Sequence, residues 1–163
     1  MVNNELKKDN LEHLLEEALD SELKAKEFYL NAHNKAKSKS GKQLFKELAE
    51  FEQNHYDRVK EIIEDQTGGK ILNESKIKSK NIQIKPEIEG EFEPNKDEIV
   101  TVINLAIDAE IKAQERYTKI AKLMSDEESK KIFQNLAQDE RNHQRILEDE
   151  FYHLSNKGTI IWE

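Results

Sequence analysis

Glu52-x-x-His55 and Glu140-x-x-His143 each place a carboxylate and an imidazole one helical turn apart, twice in one chain. Positions i and i+3 of a helix share a face, so each motif offers an oxygen and a nitrogen donor to one point. Two more acids stand in comparable settings. Glu22 interrupts an apolar stripe of Leu11, Leu15, Ala18, Ala25, Tyr29 and Ala32, and Glu110 interrupts Ile99, Ile103, Ala106, Ala113, Tyr117 and Ile120. The two motifs also sit in stripes, with Leu48, Val59 and Ile62 around the first and Phe133, Leu136, Leu147 and Leu154 around the second. No Lys or Arg falls on these stripes. Four acids in an apolar core repel one another, and even one ionised buried carboxylate is costly without a partner. Two divalent cations would balance them, with neutral imidazoles supplying nitrogen. Mixed oxygen and imidazole donors suit iron or manganese better than the soft metals that thiolates prefer. Without metal, crowded and desolvated acids should have raised pKa values and take up protons on folding.

The elements that must position these residues follow from the same periodicity. Apolar residues recur at helical spacing over residues 10–37, 43–65, 97–123 and 127–154, which predicts four long helices. Short breaks at Ser38 to Gly41 and at Ser125-Asp126, the latter an N-cap, make two antiparallel hairpins. In such a hairpin, residues equidistant from the turn lie at one height. The midpoint of Glu22 and His55 falls between Ser38 and Lys39, and that of Glu110 and His143 between Asp126 and Glu127, so all six side chains should meet at mid-bundle.

Between the hairpins, Thr67 to Asn95 carries Gly68-Gly69, Pro86, Gly90 and Pro94, with slight alternation at Ile82 to Lys85. Fully extended, it would reach roughly 90 to 100 Å, whereas a helix of 27 residues is about 40 Å long. A crossover running the length of the bundle is therefore expected, with the third helix starting at the end where the second began. The single domain divides into a first hairpin at 10–66, a crossover at 67–95, a second hairpin at 96–155 and a tail at 156–163. Packing of Ile160-Ile161-Trp162 on the bundle is the expected role of the tail, a dimer contact the alternative.

The hairpins repeat each other. A shift of 88 residues carries Asp20, Glu22, Ala25, Glu27 and Tyr29 onto Asp108, Glu110, Ala113, Glu115 and Tyr117, and Phe45, Leu48, Ala49, Glu52 and His55 onto Phe133, Leu136, Ala137, Glu140 and His143. One ungapped register over two long helices marks an internal duplication. Glu150-x-x-His153 has the same pattern, but Glu150 lies about 80° round the helix from Glu140 and reads as a solvated face. His13 and His33 fall outside the register and read as surface residues. Tyr29 and Tyr117 read as core aromatics, with a hydrogen bond to a ligand carboxylate as the open alternative.

Composition sets the remaining bounds. A net charge of -8 disfavours nucleic acid and anionic membranes, and 37% charged residues with five glycines and two prolines favour long solvated helices. No apolar run is long enough to span a bilayer and the first ten residues hold no apolar signal core, so a cytoplasmic protein is expected. Zero cysteines exclude disulfides and iron–sulfur or rubredoxin-type centres in this chain, so electrons must come from outside it.

Glu22-x-x-Ala25-x-x-x-Tyr29, Leu48-Ala49-x-x-Glu52-x-x-His55 and their copies at Glu110 to Tyr117 and Leu136 to His143 resemble the ferritin-like superfamily, in particular its rubrerythrin-like branch. The resemblance implies an all-α, ferritin-like antiparallel four-helix bundle of two duplicated hairpins joined by one long crossover. It further implies two iron ions, with Glu52 and Glu140 bridging and Glu22, Glu110, His55 and His143 terminal; manganese or a mixed pair would suit the same donors. Rubrerythrins proper carry an extra glutamate where Ala113 stands and tend to have a carboxylate where His143 stands, which brings this ligand set closer to that of bacterioferritins. Gln53 occupies the haem-binding Met position of bacterioferritins, so no haem is expected. Bacterioferritins also have Asp before both bridging glutamates; Asp139 fits and is expected to orient His143, while Phe51 departs.

By this resemblance the chain would reduce peroxide or dioxygen, in a role tied to oxidative stress, with a rubredoxin-like external donor and as a homodimer. An iron-storing protein with a ferroxidase centre and a structural bundle with a non-redox metal are the rival readings.

Overall fold

A computed structural model describes residues 4–68 and 90–161. Four helices dominate: α1 (Asn4–Lys35), α2 (Lys39–Gly68), α3 (Lys96–Leu123) and α4 (Glu127–Lys157). Two short strands, β1 (Glu91–Phe92) and β2 (Thr159–Ile160), pair antiparallel. Apolar stripes drive each helix into the bundle, and local chemistry sets the ends. Asp126 caps α4 by accepting from the Ser129 N–H at 2.9 Å. Gly158 ends it in the left-handed region at φ 69, its N–H reaching the Leu154 carbonyl at 3.0 Å. Asp97 and Glu98 in the first turn of α3, with Lys122 in its last, suit the helix dipole. α4 thus runs into the segment expected as tail. Strand β2 follows, and Ile160, fully buried, joins the core; Trp162 and the alternation at Ile82 to Lys85 lie outside the described residues.

α1 packs on α2 and α3 on α4, and the two hairpins meet mainly along α1 and α3. Asn95 donates to the Lys35 carbonyl at 2.9 Å, so α3 begins beside the end of α1. Gly68, at the end of α2, and Gly90, beside its start, therefore lie at opposite ends of the bundle, and the expected crossover at 67–95 falls mostly outside the described residues.

Its landing point grips the first hairpin. Glu93, wholly buried, accepts from the Lys37 and Ser38 N–H groups at 3.0 and 3.2 Å and from the Ser38 hydroxyl at 2.9 Å. Glu91 accepts from the N–H groups of Lys39 and Ser40 at 2.8 and 3.0 Å. Two carboxylates thus satisfy donors that the start of α2 leaves without helical partners. These hydrogen bonds hold both carboxyls below the ordinary range, in Glu93 against the opposing effect of burial. A side chain at Gly41 would come within 2.8 Å of Ser38 Oγ and 3.0 Å of Glu93 Oε1, so the clasp needs glycine there.

The core forms two apolar plugs. One, at the ribbon end, holds Tyr29, Phe45, Leu48, Ile103, Leu147 and Ile160; the other, at the far end, holds Leu15, Ile62, Tyr117, Ile120, Phe133 and Leu136. Each such side chain contributes roughly 1.5 to 3 kcal/mol on burial. Between the plugs lies a polar layer.

Candidate metal centre

That layer consists of Glu22 from α1, Glu52 and His55 from α2, Glu110 from α3, and Glu140 and His143 from α4, each at most 3% exposed. Ligand-capable atoms of Glu22, Glu52, His55 and Glu140 lie within 4.8 Å of one another, and so do those of Glu52, Glu110, Glu140 and His143. Glu52 and Glu140 belong to both sets. Both histidines turn Nδ1 inward: His55 Nδ1 is 2.6 Å from Glu140 Oε1 and 3.6 Å from Glu22 Oε1, and His143 Nδ1 is 3.5 Å from Glu52 Oε1 and 3.6 Å from Glu110 Oε1. Each of the six residues presents a buried polar atom without a well-oriented hydrogen bond, among them Glu22 Oε2, Glu52 Oε1, Glu110 Oε2 and His143 Nδ1, while His55 Nδ1 and Glu140 Oε1 meet only as a close ion pair. Buried polar atoms are rarely left so. Oxygen and imidazole nitrogen converging in two overlapping sets fit a pair of hard or borderline divalent ions.

The tyrosines reach across the duplication. Tyr29 of α1 donates to Glu110 of α3 at 2.6 Å, and Tyr117 of α3 donates to Glu22 of α1. Burial and the nearby carboxylates raise both phenol pKa values, so they remain donors.

Without metal the four acids do not behave alike. Burial, reinforced by neighbouring carboxylate charge, raises Glu52 and Glu140 well above the ordinary range. Burial acts the same way on Glu22 and Glu110, but there it is outweighed: hydrogen bonds from Glu52 and Glu140 and the charges of His55 and His143 hold them below it. Proton uptake therefore falls on the two central acids, whereas the sequence expectation spread it over the cluster. His55 is pushed up to about 10, because the Glu22 charge and the Asp139 hydrogen bond overcome burial.

Asp139 does not orient His143. It accepts from His55 Nε2 at 3.3 Å and lies 3.8 Å from Arg58 Nη1. One residue before Glu140, it points about 100° round α4, toward the neighbouring α2 instead of along its own helix. The matching position in the first half is Phe51, whose ring meets His143 edge-on at 4.7 Å and His55 at 5.8 Å between centroids. Arg58, 3% exposed, escaped the sequence reading. Its position one turn beyond His55 was the available signal. Periodicity cannot tell whether such an arginine turns inward.

Glu150 corrects another expectation. It is fully buried, because the Gly158 to Ile161 segment folds over the face that helical periodicity left to solvent. Burial raises its carboxyl to about 8 despite the Ile161 backbone beside it. It belongs to neither ligand set. His13 is exposed as expected, whereas His33 is half-buried and its Nδ1 bonds the Lys42 carbonyl at 2.7 Å, tying α1 to α2.

Comparison with known proteins agrees with this geometry. Residues 13–151 match the profile of the family described as Rubrerythrin. A solved structure of a hypothetical protein from Pyrococcus furiosus is similar at a TM-score of 0.71 and 28% identity over 90% of each chain. A search of curated proteins gives no match. No helix among the described residues is long and apolar enough to cross a membrane.

Proposed function

The chain belongs to the rubrerythrin family of di-iron carboxylate proteins, and from that premise we propose that it reduces hydrogen peroxide or dioxygen with electrons from an external donor. The observation that carries this reading is the pair of overlapping four-residue sets sharing Glu52 and Glu140. Glu52 and Glu140 would bridge two irons, with Glu22 and His55 completing one side and Glu110 and His143 the other. Bound there, iron would supply two adjacent one-electron reductants.

The remaining chemistry belongs to the chain. With metal in place of its Nδ1 proton, His55 would keep its Nε2–H on Asp139 and offer Nδ1 as the ligand. Tyr29 and Tyr117 hold the outer glutamates and keep phenolic protons within reach of the centre. The two apolar plugs exclude bulk water above and below. Because the chain has no cysteine, a separate rubredoxin-like protein is the class of donor that fits.

The test is to load the protein anaerobically with ferrous iron, count the metal, and mix it with peroxide or dioxygen while following iron oxidation. Two irons per chain, oxidised by one equivalent of peroxide and re-reduced by a rubredoxin-like donor, are expected. Bound iron inert to both oxidants would overturn the reading, and accumulation of many ferric ions per chain would favour storage.

A further inference from the structure

A cleft opens between α1 and α3 and descends to the carboxylates, with Glu22, Glu52, Glu110 and Glu140 at its floor and a volume of about 290 Å³. It lies on the axis of the internal duplication. The register of 88 residues pairs Ser21 with Ala109 and Ala25 with Ala113, all four of which line it. At the last pair each half contributes only a methyl group, so neither helix closes the gap. Phe28 and Ala106 extend the apolar wall, and Leu105, 55% exposed, stands at the mouth.

This space is poorly matched to hydrogen peroxide alone. It is about ten times the roughly 30 Å³ that one water occupies in the liquid. Its alanine, leucine and phenylalanine walls offer no hydrogen bonds to a molecule made of two hydroxyl groups. Of the cations that also line it, Lys24 is paired with Asp20 and Arg116 with Glu17, which leaves Lys112 and the Ser21 hydroxyl beside the apolar wall. The apolar walls would instead bury an organic substituent, at about 25 cal/mol for each Å² of apolar surface removed from water.

We propose that the cleft between α1 and α3 binds the organic group of an alkyl or aralkyl hydroperoxide, with the peroxide end at the carboxylate floor and the apolar body against Ala25, Phe28, Leu105 and Ala113. The inference rests on the peroxide-reducing reading above and adds a substrate class to it. Cleavage of the O–O bond consumes two electrons, supplied in the end by the external one-electron donor, and two protons. The products are the alcohol and one water.

The experiment uses cumene hydroperoxide beside hydrogen peroxide on the reduced, iron-loaded protein, and cumyl alcohol as an unreactive probe of the metal-free protein by NMR. The unmodified protein should react with both peroxides, and cumyl alcohol should shift resonances of the α1 and α3 lining. Ala113→Leu should slow cumene hydroperoxide by about 10- to 100-fold, abolish the alcohol shifts and leave hydrogen peroxide nearly unaffected. Leu105→Glu, at an exposed position that places no burden on folding, should act in the same direction. Reaction with hydrogen peroxide alone, or equal slowing of both peroxides by these variants, would overturn the inference and leave the parent reading standing. Failure of both peroxides to react would overturn the inference together with the peroxide half of the parent reading, and iron inert to dioxygen as well would overturn that reading whole.

Discussion

Across the internal duplication, His55 keeps company with Asp139 and Arg58, whereas the corresponding positions around His143 are Phe51 and Ile146. The inward-facing atoms are the same in both halves: a glutamate held by a tyrosine from the other half, a histidine Nδ1 and two shared carboxylates. What lies behind them is not. A hydrogen-bonded Nε2–H fixes the tautomer of an imidazole and raises the basicity of its other nitrogen. An edge-on ring holds an imidazole in place but does neither. Duplication has thus kept the donors and let their backing diverge, so two ions in this centre should be held unequally, the tighter one on the His55 side.

The harshest trial of the comparison removes what the halves share. Glu52→Ala or Glu140→Ala should strip both ions, taking the stoichiometry from two toward zero, while Glu150→Gln retains two. Elemental analysis after gel filtration would show this, and equal losses in all three variants would mean that the shared pair has been misidentified.

Asp139→Asn addresses the difference itself. It should weaken one of the two ions by about 10- to 100-fold, the usual cost of removing such a partner, whereas Phe51→Leu should change neither by as much. Cobalt titration followed by absorbance should resolve two steps of unequal affinity in the parent protein. Steps already equal there would remove the asymmetry.

A smaller effect concerns the metal-free protein. Glu52 and Glu140 have folded pKa values above their unfolded ones, so their contribution to stability is full below the ordinary carboxylate range and is lost as pH rises through the folded values. His55 adds to this trend: its contribution is full below its ordinary 6.5 and is lost as pH rises through about 10. Glu22 and Glu110, held low, have the opposite sign, and their contribution is lost only as pH falls through their depressed values. Thermal unfolding of the metal-free protein should therefore show Tm falling from mildly acidic to alkaline pH. Glu52→Gln and Glu140→Gln should flatten the slope alike, and saturating metal should flatten it further. A level profile in the metal-free protein would mean that the central acids carry no extra protons.

The six inward donors were legible because each interrupts an apolar stripe and each recurs after 88 residues; the heights of their helices followed from the two turns. Their backing was not legible in the same way. Whether Asp139 serves its own helix or α2, and whether Arg58 turns inward, depends on how each helix is rotated about its axis, which a one-dimensional period does not report. Glu150 was misplaced because periodicity describes a helix by itself, and the cover over that face comes from another segment. Glu91 and Glu93 stood in a stretch readable only as a connection, since their partners are backbone N–H groups about 50 residues away.

The ribbon that carries those two glutamates also bears on the order of events during synthesis. Glu91 pairs with Ile160, and Ile160 packs near Gly41 at the first turn. α1 and α2 therefore leave the ribosome first, but their turn gains Glu91 and Glu93 only after the crossover, and Ile160 only after α3 and α4, have been made. Glu140 and His143 emerge after the other four donors, so a nascent chain that ends short of them has neither four-residue set complete. Completion of either donor set and closure of the ribbon therefore both wait on α4, which ties the metal centre and the clasp of the first turn to the same late element.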